Sequence, residues 1–171
     1  RNLSSKENQI KNFEFHLNVS EELNKPLIIH CRDAFSDVFD ILSSKDANNP
    51  IILHSWTGGN KWTKRFVELG VYFSISGIIT YDTAHDLQAA VTKIPRDRLL
   101  LETDVPYLSP QPFKGKKNNP TYIKYTGAKV AELLNLTPNE LSEITISNTN
   151  KVMNRDIYEW IFLDRKVKWK T

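Results

Sequence analysis

An α/β fold, with parallel strands and helices in alternation, is predicted by three features of this sequence. Four short apolar runs stand out: PLIIH (26–30), PIILH (50–54), GVYFSIS (70–76) and RLLLET (98–103). None alternates apolar with polar residues, so both faces of each strand should be buried, as in a parallel sheet covered by helices. The runs begin about 20 to 28 residues apart, the length of a strand, a helix and their loops. Segments with helical spacing fill the intervals.

Taken in order, an opening helix runs from about Ser5 to Leu23 into the first strand. Ala34 to Ser44 carries Val38, Phe39, Ile41 and Leu42 on one side, a second helix. Trp62, Phe66 and Leu69 space a third, which Gly70 ends. Leu87, Val91 and Ile94 space a fourth, stopped by Pro95. Tyr122 to Leu134 forms a fifth. The sixth has the best-marked boundary in the chain, TPNE: Thr137 as N-cap, Pro138 at the first helical position and Glu140 reaching back in a capping box.

The chain has 171 residues, enough for one domain with a real core. Its longest apolar runs are only a few residues, so no membrane span is expected. The first residues, RNLSSKENQ, lack the apolar stretch of a signal peptide. No initiating Met is present, which reads as a fragment or a processed form. The lone cysteine, Cys31, has no partner within the chain, and a reducing cytoplasm is the default expectation. Net charge is +3. All of it falls from Lys151 onward, where six basic residues face three acids, leaving residues 1–150 balanced. That basic tail reads as a solvated end or as a weak hint of a phosphate-binding surface.

In parallel α/β folds, ligands bind beyond the C-terminal ends of the strands. The first strand ends in His30, then Cys31, Arg32 and Asp33; the second ends in His54, then SWTGGN; the fourth ends in Glu102 and Asp104. Two residues apart in an extended chain, the two carboxylates point to the same face. Unpaired buried carboxylates are expensive, so something positive should oppose them: a metal, an arginine or a substrate cation. Imidazole and carboxylate together suit zinc, manganese or iron, and carboxylates alone suit magnesium. Singly, each residue has a plainer reading, a hydrogen-bonded core histidine or a helix-capping aspartate. Their recurrence at equivalent strand ends favours a site. His16 and His85 lie in helical segments and are read as packing or surface residues.

The blocks PLIIHCRDA, IILHSWTGG, YFSISGIIT, IPRDRLLLETDVPYLSP, KGKKNNP and LTPNELSEITISNTNKV come in the order and spacing of the TatD family. The chain resembles those metal-dependent deoxyribonucleases of the amidohydrolase superfamily from about Gln9 to Val152. Ser55, Trp56 and Gly59 stand where the family often has Cys, Phe and Ser. The resemblance implies a TIM-like (β/α)8 barrel, of which this chain matches the C-terminal half, about strands 5–8, over residues 1–153. Residues 154–171 form a basic aromatic tail that departs from the family's ending. By resemblance, His30, His54 and Asp104 are metal ligands, with Glu102 beside them in catalysis. The family's His-x-His strand and its bridging glutamate have no counterpart here.

The resemblance also implies a hydrolase holding one or two divalent ions (Mg, Mn or Zn) in a complete site, with DNA as substrate. Asp104 would orient the attacking water and accept its proton. Arg32 would pair with a phosphate or, equally, with Asp33 or Glu102. Thr57, Gly58 and Gly59 would offer backbone N–H groups at a helix start, and Tyr107 would stack on a base or sugar. Two alternatives stay open: an ester or lactone substrate, and a catalytically incomplete half-barrel that acts with a second chain or not at all.

Overall fold

The computed structural model describes residues 4–45 and 48–153; the basic aromatic tail lies outside the described residues. Four strands form one parallel sheet in the order β1 (Leu27–His30), β2 (Ile51–His54), β3 (Tyr72–Ile75) and β4 (Leu99–Leu101). The helices are α1 (Lys6–Leu23), α2 (Phe35–Ser43), α3 (Asn60–Glu68), α4 (His85–Val91), α5 (Ile123–Leu133) and α6 (Pro138–Met153). Both the alternation and the parallel pairing expected from the apolar runs are therefore present.

Alternation of side chains divides the sheet into two faces. Ile29, Leu53, Phe73, Ile75 and Leu99 belong to the large core shared with the helices. Ile52 and Leu100, from the other face, form a small second cluster with Val152 of α6 and with Tyr72. On β1, Ile28 pairs in register with Ile52 yet is 59% exposed. The edge strand has a neighbour on one side only, so its residue on this face lacks the cover that Ile52 receives.

Local chemistry explains the boundaries. Ser5 caps α1 by accepting from the Asn8 N–H. Gly70, at φ +68°, closes the turn after α3. Helix α4 ends at Val91, short of Ile94, whose N–H donates to the Val91 carbonyl in a tighter turn before Pro95. At α6 the capping box forms as expected. The Glu140 N–H donates to Thr137 Oγ1 at 3.2 Å, and Glu140 Oε2 accepts from the Thr137 N–H at 2.7 Å. The bond from the Thr137 N–H, joined by one from the Thr137 hydroxyl at 2.8 Å, holds the Glu140 carboxyl below its usual range. Farther along α6, buried Asn148 donates to the carbonyls of Arg96 and Leu99 at 2.7 and 2.8 Å, fastening the helix to the start of β4.

Two outcomes are expected. Asn148→Ala strips two buried carbonyls of their donor and should lower the free energy of unfolding by about 1–3 kcal/mol in urea titrations. Glu140→Gln should lower the melting temperature near neutral pH. Because the folded-state pKa is depressed, the carboxylate's contribution is present above the ordinary glutamate range and is lost as pH falls through the lowered value. Melting curves of the two proteins should therefore converge in acid.

Candidate metal centre

The parallel register places His30 directly opposite His54, at the C-terminal ends of β1 and β2. The Glu102 N–H donates to the Ile75 carbonyl at 3.0 Å, so the ladder continues one residue past β4 and carries Glu102 to the same edge. Beyond it the chain turns. Asp33, Ser55 and Asp104, which follow three different strands, all have positive φ, 55°, 44° and 54°. Such conformations are uncommon outside glycine and concentrate where a chain must aim a side chain. Aspartate tolerates this region through its short polar side chain; Ser55 is buried, with its hydroxyl 2.8 Å from that of Ser76.

His54, Glu102 and Asp104 converge, with one potential ligand atom from each lying within 4.8 Å of the others. His54 Nδ1 is 2.7 Å from Glu102 Oε1, and Nε2 is 3.7 Å from Asp104 Oδ1. Side-chain exposures are 26%, 19% and 28%, so none of the three is fully solvated. The short approach of Nδ1 to Oε1 is too bent to make a hydrogen bond, and Oε1 is left buried without one. A buried carboxylate oxygen with no donor is costly unless a cation offsets its charge. One neutral nitrogen and two carboxylates are a donor set that divalent ions accept. The residues present therefore fit a metal.

The other expected site residues stand around this group. His30 is exposed, its ring centroid 5.5 Å from that of His54, and it lies outside the convergent trio. Arg32 is exposed, with Nε 3.9 Å from Asp33 Oδ2; this ion pair is with its neighbour and not with Glu102. Tyr107 is 69% exposed. Thr57 is exposed, whereas Gly58 is buried under Trp56, whose indole would collide with any Cβ there. At Gly59, the N-cap of α3, the Asp86 carboxylate fills the space that a Cβ would take. That helix start already faces an anion of the chain itself, which competes with a bound phosphate.

Two supports gave no signal in the sequence. Trp56, 1% exposed, donates from Nε1 to Thr63 Oγ1 at 2.9 Å and from its backbone to the Ser74 carbonyl at 2.9 Å, pinning the chain just after His54. Buried Asn118 donates to the carbonyls of Thr103 and Tyr107, closing the loop that carries Asp104. Contacts spanning 11 and 15 residues leave no periodic trace.

A parallel α/β sheet with imidazole and carboxylate gathered beyond its strand ends puts this candidate metal site in the usual ligand position for that class. The chain belongs to the TatD-related DNase family, whose profile matches residues 1–154. It is 38% identical over 150 residues to the uncharacterized metal-dependent hydrolase YabD of Bacillus subtilis, covering 87% of this chain and 59% of that protein. Identity is 40% over 143 residues to the uncharacterized metal-dependent hydrolase BU355 of Buchnera aphidicola, covering 83% and 54%. Among solved structures, the TatD homologue YJJV of Escherichia coli K12 superposes with a TM-score of 0.79 at 26% identity, over 89% of this chain and 60% of that one. The chain thus spans between half and two thirds of the length of these relatives.

Next to the centre, burial pushes the Cys31 thiol up to about 11; the Asp33 charge adds to the shift and a backbone hydrogen bond with Ala34 opposes it. A thiol held protonated is a poor nucleophile. Ellman's reagent at mildly alkaline pH should therefore label Cys31 slowly in the folded protein and rapidly in denaturant. Fast labelling of the folded chain would contradict this burial.

Proposed function

We propose that this chain is the C-terminal half, about strands 5–8, of a TIM-like (β/α)8 barrel that hydrolyses phosphodiester bonds with a divalent metal, DNA being the substrate and the cytoplasm its place of action. The observation that carries the reading is the convergence of His54, Glu102 and Asp104 around a buried carboxylate oxygen that lacks a donor. The family profile's description, TatD-related DNase, supports the choice of bond.

In this reading His54 and Asp104 hold the ion (Mg, Mn or Zn), and His30, alongside His54, extends the donor set. A bound divalent ion supplies Lewis acidity, polarising the phosphoryl oxygen and lowering the pKa of a water. Asp104 orients that water and accepts its proton as attack proceeds. Glu102, whose Oε1 lies 2.7 Å from His54 Nδ1 without a hydrogen bond to it, adds its negative charge beside the ring, while Nε2 lies 3.7 Å from Asp104 Oδ1. Arg32 offers its guanidinium to a phosphate, freed from a long and exposed contact with Asp33.

A second reading rests on exposed Ile28 and on the 54–60% of relatives' length that the chain spans. Further strands, from an upstream segment or a second chain, complete the donor set, and this chain alone is catalytically weak. Metal-dependent cleavage of single-stranded DNA by this chain should accordingly be far slower than by a protein with the upstream half restored. Equal, robust rates would show that the added strands are dispensable. In the completed enzyme, Asp104→Asn should abolish turnover, whereas Glu102→Gln should cost about 10–100-fold. If Glu102→Gln lost metal as completely as Asp104→Asn, Glu102 would have to be counted as a ligand.

A further inference from the structure

The segment after the metal-site strand has an unusual charge distribution. From Val105 to Ala131 the chain carries five lysines (Lys114, Lys116, Lys117, Lys124 and Lys129) and no acid or arginine. The whole molecule is only +3, so this stretch is a local departure from a near-balanced chain. Lys129 is paired with Glu132 at 2.7 Å. Lys114, Lys116 and Lys117 are exposed and make no ion pair among the described residues; Lys114 lies over the Tyr81 ring, 4.4 Å from its centroid.

These three lysines sit on a fixed loop. The Phe113 N–H donates to the Pro110 carbonyl and the Lys116 N–H to the Phe113 carbonyl, at 2.7 and 2.9 Å. Ser109 Oγ donates to the Lys116 carbonyl. Tyr81 Oη donates to the Ser109 carbonyl at 3.0 Å, and the Gln111 N–H donates to Thr80 Oγ1 at 2.8 Å. Gly77 lets the Leu108 carbonyl lie against the exit of β3, where a Cβ would leave no room. Asn118, next in sequence to Lys117, is bonded to the carbonyl of Thr103, the residue between Glu102 and Asp104. The same amide holds the carbonyl of Tyr107, the exposed aromatic. One side chain thus ties the lysines, an open ring and the metal-site carboxylates into one rigid unit.

We infer that Lys114, Lys116, Lys117 and Tyr107 form a binding strip for single-stranded nucleic acid on the rim of the metal centre, the lysines taking backbone phosphates and the tyrosine an unpaired base. The strip deepens the phosphodiester reading, since it would hold the strand flanking the reacting bond, but its binding needs no metal. A charged strip alone would accept any polyanion. The exposed ring beside it favours a strand whose bases are free to stack.

The test is fluorescence anisotropy of a labelled oligothymidylate with the 171-residue chain in chelator, across a salt series. The wild-type chain should bind with an affinity that falls linearly in log–log form. Replacing all three lysines (K114Q, K116Q, K117Q) should lower that slope by about 2, from about 0.7 per phosphate contact, and weaken binding about tenfold. The corresponding triple arginine variant should keep both. Tyr107→Ala should weaken binding about tenfold and leave the slope unchanged. Circular dichroism confirms that each variant is folded. No binding by the wild-type chain, an unchanged slope in the glutamine variant, or a duplex bound as tightly as the single strand would overturn the proposal. Because no catalysis is measured, lysine-dependent binding without cleavage by the completed enzyme would leave the strip standing and remove the hydrolase reading.

Discussion

Charge compensation at Glu102 is the constraint on which the rest of the site depends. Its backbone is held by the sheet, through the bond from its N–H to the Ile75 carbonyl, which sets the carboxylate on the strand-end edge beside His54. Asp104 is held equally firmly, because Asn118 grips the carbonyl just before it. Two carboxylates and an imidazole are thereby confined within 4.8 Å. A divalent cation held by His54 and Asp104 would offset the Glu102 charge beside it.

What keeps His54 in that pocket is packing some distance from any charge. Trp56 meets Phe35, Phe66 and Phe73 edge-on, at centroid separations of 5.3, 5.4 and 5.2 Å. Its indole N–H and backbone N–H are both satisfied, the first by Thr63 and the second by Ser74. The chain therefore leaves β2, passes through the left-handed turn at Ser55 and is anchored at once. Gly58 obeys the same packing, because the indole leaves no space for a side chain above it. A residue that looks suited to phosphate binding in the sequence is here shaped by an aromatic neighbour.

The sequence reveals most where one rule acts alone. Strands buried on both faces read as unbroken apolar runs, and their ends coincide with His30, His54 and the approach to Glu102. The Thr137–Glu140 box is local and forms as written. Legibility falls where two constraints meet. Ile94 fits the spacing of α4, but Pro95 already prevents the helix from continuing and the chain tightens before it. His30 has the same strand-end position as His54, yet its strand is an edge, so its ring tilts at 42° against one neighbour and stays exposed. Asn118 is least legible of all. Its role depends on carbonyls brought to it by a loop, and no pattern in KGKKNNP announces them.

Cover over the sheet is uneven, and the unevenness has consequences for the site. On the face that carries the metal residues, apolar Ile28, Ile52 and Leu100 lie toward one end, with His30, His54 and Glu102 toward the other. Val152 covers Ile52 and Leu100 from the β4 side, and this cover does not reach Ile28. Ile52 on β2 is as buried as Leu100 on β4, and cover on this face is lost only at the edge strand β1. A surface that continued the cover over β1 would need apolar side chains opposite Ile28 and polar donors or metal ligands opposite His30, in that order along the strand. An apolar surface alone would desolvate the imidazole without a partner, and a polar one would leave Ile28 wet. The loss of cover at this edge therefore prescribes the pattern of its complement, apolar opposite Ile28 and polar opposite His30.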